Sequence, residues 1–399
     1  MTARRREHLN VAILATSWAL FLTAAITVMT LSGLVGDRLA PTPALATAPV
    51  AAMMLGIVAA ALPASLLMKR IGRRPGFVLG GLVGAAGGAV SVAGVAWESF
   101  AAFVTGNLLL GVYQAFANYY RFAAADAASP DWRSRAISLV MAGGVAAAFL
   151  GPWNARYAVD LLPVADAGPY AVVLALALLA TLGLSRLRIP GEDEARTGAQ
   201  RPLSEIVRQP DVPVAVLAGA VGYALMILVM TATPLAMRAH GFDLARAATV
   251  MQWHVLGMFA PSFVTGHLIA RHGTANVLLA GTGIMAAAAG VAIAGTTYAH
   301  FLVALIALGV GWNLLFVGGS SLLATTHTPA ERGKVQGAND LVVFTAVAAG
   351  SLLAGTLLHL ASWQTLNLAM LPALAVVAGV VLRWQHRSAG RRQPAGTGA

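Results

Sequence analysis

The chain has 399 residues, of which 58% are hydrophobic and 10% charged, with a formal net charge of +11 and no cysteine. A soluble domain carries about 25% charged residues, so this balance excludes an ordinary soluble protein and selects a polytopic α-helical membrane protein. The missing cysteines exclude disulfides, Cys-ligated metals and thiolate chemistry. The positive charge marks topology, as its placement shows, and not a nucleic acid partner.

Twelve spans are predicted in chain order, at 11–35, 45–67, 77–96, 99–125, 136–157, 168–187, 212–237, 245–270, 277–295, 298–326, 336–361 and 364–383. The first follows the basic "MTARRREHLN". It is too long for a signal h-region and reads as a retained helix. Gly and Pro inside the apolar runs fit closely packed membrane helices. With both termini placed inside, 21 of the 26 Lys and Arg fall on the inner side and 4 (Arg38, Arg156, Arg238, Arg246) on the outer. That positive-inside asymmetry predicts cytoplasmic termini. Arg121 lies within the fourth span.

A polar stretch, "RIPGEDEARTGAQRPLSEIVRQPD", parts the chain into an N-terminal six-helix bundle (1–187), a cytoplasmic linker (188–211) and a C-terminal six-helix bundle with a basic tail (212–399). Within it, "PLSEI" has the makings of a short surface helix. The two bundles repeat. "SLLMKRIG" after the second span recurs as "GHLIARHG" after the eighth, and "SPDWRSR" after the fourth as "TPAERGK" after the tenth, at offsets of 201 and 199. Duplicated halves of this kind place a cargo site near the midplane. The expected fold is therefore all-α integral membrane, with twelve transmembrane helices in two pseudo-symmetric bundles.

These inner loops resemble those of the major facilitator superfamily, whose G-x-L-x-D-R-x-G-R-[KR] frame is matched by Ser65, Arg70, Gly72, Arg73 and Arg74. Lys69 stands at the position of the usual acid. The second copy keeps Gly266, Leu268, Arg271 and Gly273, with Ala270 at the acid position. The resemblance implies an alternating-access carrier whose loop cations hold neighbouring helix ends as a gate; a merely solvated loop is the plainer alternative. The fourth span has "NLLLG" where antiporters of the superfamily carry R-x-x-Q-G, and "GPWN" is half of their fifth-helix pattern, so a small-molecule efflux carrier is the weaker reading. No phosphate-binding loop is present, which excludes direct ATP drive.

The seventh span carries Met226 and Met230, and the eighth His254 and Met258; a four-residue gap puts each pair on one helix face. Met237 and Met251 extend the two stripes as auxiliary candidates. Five of the 13 methionines fall within 226–258, and His254 is the only one of 9 histidines near the midplane. Thioethers and imidazole suit copper, above all Cu(I). The same side chains also serve as core filler, a proton relay or hydrogen-bonded packing. M-x-x-x-M followed by H-x-x-x-M resembles the CcoA-like transporter (CalT) family of bacterial copper importers, which supply haem–copper oxidase assembly. That resemblance implies copper-ligand roles for Met226, Met230, His254 and Met258, with copper as cargo and not as a resident cofactor, in a bacterial inner membrane. The chain is expected to be a monomer, and a copper chaperone is not readable from the sequence. The family also contains a riboflavin importer.

A second set suits an organic cargo such as riboflavin: Tyr113, Gln114 and Asn118 in the fourth span, and Trp312 and Asn313 in the tenth. Interhelical hydrogen bonding is its alternative. Arg121 and Asp126 are placed to pair as a gate, and Asn339 and Asp340 as an N-cap or inner gate.

Overall fold

The computed structural model describes residues 3–42, 45, 47–189, 198–360 and 362–390. Arg196 of the linker and Arg391 and Arg392 of the tail, which contribute to the charge asymmetry, lie outside these. The chain forms two compact units, residues 1–200 with 327–344, and residues 201–326 with 345–399.

In the first unit α1 (Ala3–Leu39), α2 (Ala48–Ile71), α3 (Arg73–Ala96), α4 (Phe100–Ala117) with α5 (Tyr120–Ala127), α6 (Arg133–Ala142) with α7 (Gly144–Tyr157), and α8 (Ala167–Leu184) make six passes. Small residues bring their backbones together. The stripe Gly80, Gly84, Gly87 and Gly94 on α3 faces Phe116, Tyr113, Leu110 and Phe103 of α4, so a Cβ at any of these would collide. The α2–α3 corner turns at Gly72, with φ 98°. In the second unit Gly273, with φ 81°, makes the corner 201 residues on. Only glycine adopts that region without strain, which is why both copies of the loop frame keep it.

The second unit opens with the one-turn α9 (Leu203–Ile206), where "PLSEI" predicts it. Its passes are α10 (Asp211–Ala239), α11 (Leu244–Phe259) with α12 (Ser262–His272), α13 (Thr274–Ala294), α14 (Tyr298–Leu323), the C-terminal part of α15 (Arg332–Leu360), and α16 (Trp363–Leu368) with α17 (Met370–Gly390). Asp243 starts α11 by accepting the Arg246 N–H at 2.8 Å. Trp384 Nε1 donates to Asp211 Oδ1 at 2.6 Å, tying the last helix to the first of the unit. α14 lies at its centre, packed on α10, α11 and α13.

Among the described residues, eleven helices are long and apolar enough to cross a membrane. The twelfth pass is α11–α12, interrupted at Ala260–Pro261. The single span predicted at 245–270 is thus two pieces, because proline cannot continue the helical hydrogen-bond ladder. Among the described residues the fold is all-helical with twelve passes, as the apolar runs predict.

Candidate functional site

His254 is fully buried on α11. Its Nδ1 lies 2.6 Å from the Leu305 carbonyl of α14. A carbonyl only accepts, so Nδ1 carries the hydrogen and Nε2 presents a lone pair. Nε2 is buried and, among the described residues, has no hydrogen-bond partner. The two helices meet backbone to backbone here. A Cβ on Gly309 would lie 2.6 Å from the His254 carbonyl oxygen, and one on Gly257 2.7 Å from that of Ile306.

Trp312, two turns beyond Leu305 on α14, is buried among the rings of Tyr223 (5.1 Å), Phe259 (5.7 Å) and Phe316 (stacked, 5.1 Å). Its Nε1 is also buried without a partner. The Tyr223–Trp312 contact sets the register of α10 against α14. Seven residues along α10 reach Met230, and seven back along α14 reach Leu305, each about 10 Å away at about 1.5 Å per residue. Met230 is therefore level with His254, and Met226 about midway. Met226 is fully buried and Met230 half-buried. Met258 is buried, Met251 half-buried, and Met237 buried toward the end of α10. Among the described residues no three His, Cys, Asp or Glu side chains group to hold a metal.

Asn313 is committed elsewhere. Its Nδ2 donates to Met258 O (2.6 Å) and Ser262 Oγ (2.5 Å), and its Oδ1 accepts from Thr265 (2.7 Å). Both N–H donors are used, and they bridge the broken joint between α11 and α12.

In the first unit Tyr113 is buried against Phe21 at 5.2 Å. With Gln114 and Met53 these line a cavity of about 10 Å³, room for about one water. The Asn118 carbonyl accepts from Arg121.

An ionic cluster in the first unit gathers residues of α3, α5 and α15. Arg121 Nη2 meets Asp340 Oδ1 at 2.5 Å, both side chains being 1% exposed. Asp340, and not Asp126, is thus the carboxylate seated on that nitrogen. Asp126 pairs with Arg73 (2.9 Å) and Arg332 (3.3 Å). Asn339 donates to Asp340 from within α15, so neither caps the helix. Arg73 is buried, whereas Arg70, Arg74 and Arg271 are exposed; Gly266 is buried on α12. Arg73 also donates to Gln336 Oε1, and Gln336 Nε2 lies 3.2 Å from His327 Nε2.

Burial pushes the half-buried His327 below the ordinary imidazole value of 6.5; Arg73 and Arg332 add to this, while Asp126 and the Thr328 carbonyl oppose it. The folded protein therefore holds fewer protons than the unfolded chain just below 6.5. Stability is expected to be full above that value and to be lost as pH falls through the window beneath it. Thermal unfolding in detergent at stepped pH checks this: His327→Gln should flatten the slope, and an unchanged slope would assign it to other groups.

Tyr223, Phe259 and Phe316, the walls around Trp312, are not singled out by the sequence reading. The "WNLLF" spacing, with rings at i and i+4, was the available signal for Phe316. Gln336 and His327 carry no local signal, since their partners come from distant helices.

The Major Facilitator Superfamily profile matches residues 9–260 and 215–398. The riboflavin transporter RfnT of Brucella anthropi is 44% identical over 393 residues, covering 97% of this chain and 98% of that one. In fold, the human organic anion transporter MFSD10 (TETRAN) superposes with TM-score 0.75 at 17% identity, covering 94% of this chain and 99% of its own. The E. coli fucose:proton symporter FucP does so with TM-score 0.75 at 15% identity, covering 94% and 98%. With its twelve passes, its repeated loops and a family profile along nearly its whole length, this chain belongs to the Major Facilitator Superfamily and is a multi-pass membrane carrier, not an enzyme.

Proposed function

We propose that the protein takes up riboflavin, or a flat heteroaromatic solute much like it, across a bacterial inner membrane, with both termini cytoplasmic. The observation that carries this reading is the 44% identity, end to end, to a riboflavin transporter. The aromatic walls around Trp312, with buried unpartnered polar atoms nearby, support it.

Copper import, the cargo implied by the CcoA-like motif pair, becomes the second reading. The long relative is named for a flavin, and the methionine–histidine set marks a resemblance without deciding the cargo. Thioethers and one imidazole would have to hold copper unaided, since no other metal-ligating group clusters among the described residues.

The inner gate of the first unit is assigned to the ionic cluster of Arg73, Asp126, Arg121 and Asp340, beside the corner of Arg70, Gly72 and Arg74; Gly266, Arg271 and Gly273 are assigned the corresponding gating role in the second unit. Loss of the usual loop acids to Lys69 and Ala270 leaves Asp126 as the carboxylate for Arg73.

Cells lacking their own riboflavin and copper importers, expressing the chain, provide the test. Saturable uptake of labelled riboflavin, with copper accumulation no higher than in vector controls, is the expected outcome. Copper accumulation without riboflavin uptake would reverse the reading.

A further inference from the structure

Met226 and His254 of the soft-metal set and Trp312 of the organic-solute set stand, within the second unit, at positions equivalent to the lining of the first unit's small cavity. The internal repeat shows this once its register is fixed by packing and not by loop motifs alone. In the first unit Gly56 faces the Leu108 carbonyl and Gly111 the Met53 carbonyl; in the second, Gly257 faces that of Ile306 and Gly309 that of His254. Gly151 packs on Ile26 just as Gly350 packs on Ile227. The first two helices of each unit therefore correspond at an offset of 201, and α4 corresponds to α14 at 198.

On that register the lining of the first unit's small cavity carries over residue by residue. Met53 becomes His254, Ala25 becomes Met226 and Gln114 becomes Trp312. The two bulky rings that narrow the cavity, Phe21 and Tyr113, become Gly222 and Gly311. One concavity is filled by its own side chains. In its counterpart Leu315 and Met285 pack where side chains on Gly222 and Gly311 would begin, and the lining has gained a thioether, an imidazole acceptor and an indole donor.

We infer that Met226, His254 and Trp312 form a single subsite within the second unit that receives the imide edge of a flavin-like ring. This rests on the riboflavin reading above. His254 Nε2, fixed as an acceptor by the bond from Nδ1–H to Leu305, takes the ring N3–H. Trp312 Nε1–H donates to an adjoining ring carbonyl. Each is a buried polar atom without a hydrogen-bond partner among the described residues, and buried polar atoms are rarely left so without a role. The Met226 sulfur, fully buried between them in level, lies against the ring, a contact thioethers make well.

The probes are riboflavin and N3-methylriboflavin, which lacks the imide donor. The wild-type carrier is expected to prefer riboflavin by about tenfold in KM, the size of one buried hydrogen bond. His254→Asn keeps a donor for Leu305 but removes the acceptor at the Nε2 position. It should raise the riboflavin KM about tenfold and erase the preference between the two probes. His254→Gln, which restores an acceptor there, should recover part of it. Equal handling of the two flavins by the wild-type carrier, or a preference that survives His254→Asn, would overturn the subsite while leaving riboflavin transport standing. The wild-type arm needs no variant to fold. Absence of riboflavin uptake by the wild type would instead overturn the functional reading and the subsite with it.

Discussion

Replacing Arg121 by alanine is expected to lower stability by about 3–5 kcal/mol, because it leaves the Asp340 carboxylate buried without its cation. Both side chains are 1% exposed and meet at 2.5 Å. Water cannot reach the site to compensate, and the Asn339 amide, the other polar group on Asp340, supplies a dipole and not a charge. The fault lies in the orphaned charge more than in the lost attraction. Adding Asp340→Asn to Arg121→Ala should therefore recover most of the loss. Thermal unfolding of the single and double variants in detergent decides it: a double variant no more stable than the single would mean that Arg121 acts through something other than its carboxylate.

The second large effect is expected at Gly309. A Cβ there would sit 2.6 Å from the His254 carbonyl oxygen and 2.8 Å from the Met258 nitrogen, both backbone atoms that no rotamer change can move aside. Gly309→Ala must push α11 away from α14, at about 1–3 kcal/mol. It should also stretch the bond that orients His254 and reduce riboflavin uptake about tenfold or more. Gly283 on α13 is the control, since nothing lies within 4 Å of a Cβ there. Alanine at that site should be neutral or stabilising by about 0.5–1 kcal/mol, through backbone entropy. Similar unfolding temperatures and uptake for the two variants would show that the seam is looser than its geometry implies.

Apolar runs, charge asymmetry and repeated loops made the twelve passes legible, because membrane solvation acts on whole segments and averages over local detail. The break in the eighth pass was visible only as Pro261, one residue among many apolar ones. Its bridging by Asn313 depends on a contact between residues 55 apart. The ionic cluster was half legible. Arg121 and Asp126 are close in sequence and invited pairing, but the carboxylate Arg121 meets is 219 residues away, and nothing local announces it. Met226, His254 and Trp312 were each visible as unusual side chains in apolar spans. Their equivalence to one cavity was not, because the loop motifs repeat at 201 and 199 while the packed helices repeat at 201 and 198. Even one residue turns a helix by about 100°, enough to assign a side chain to the wrong neighbour.

The glycine seam also bears on how such carriers diverge. At positions 53 and 254 it is the main-chain oxygen that packs against Gly111 and Gly309, so the close approach of the helices is indifferent to which side chain stands there. Methionine occupies one copy and histidine the other on the same scaffold. A lineage is thereby free to exchange the chemistry at this point by single mutations without first rebuilding the packing, and relatives alike in architecture can part company in what they carry.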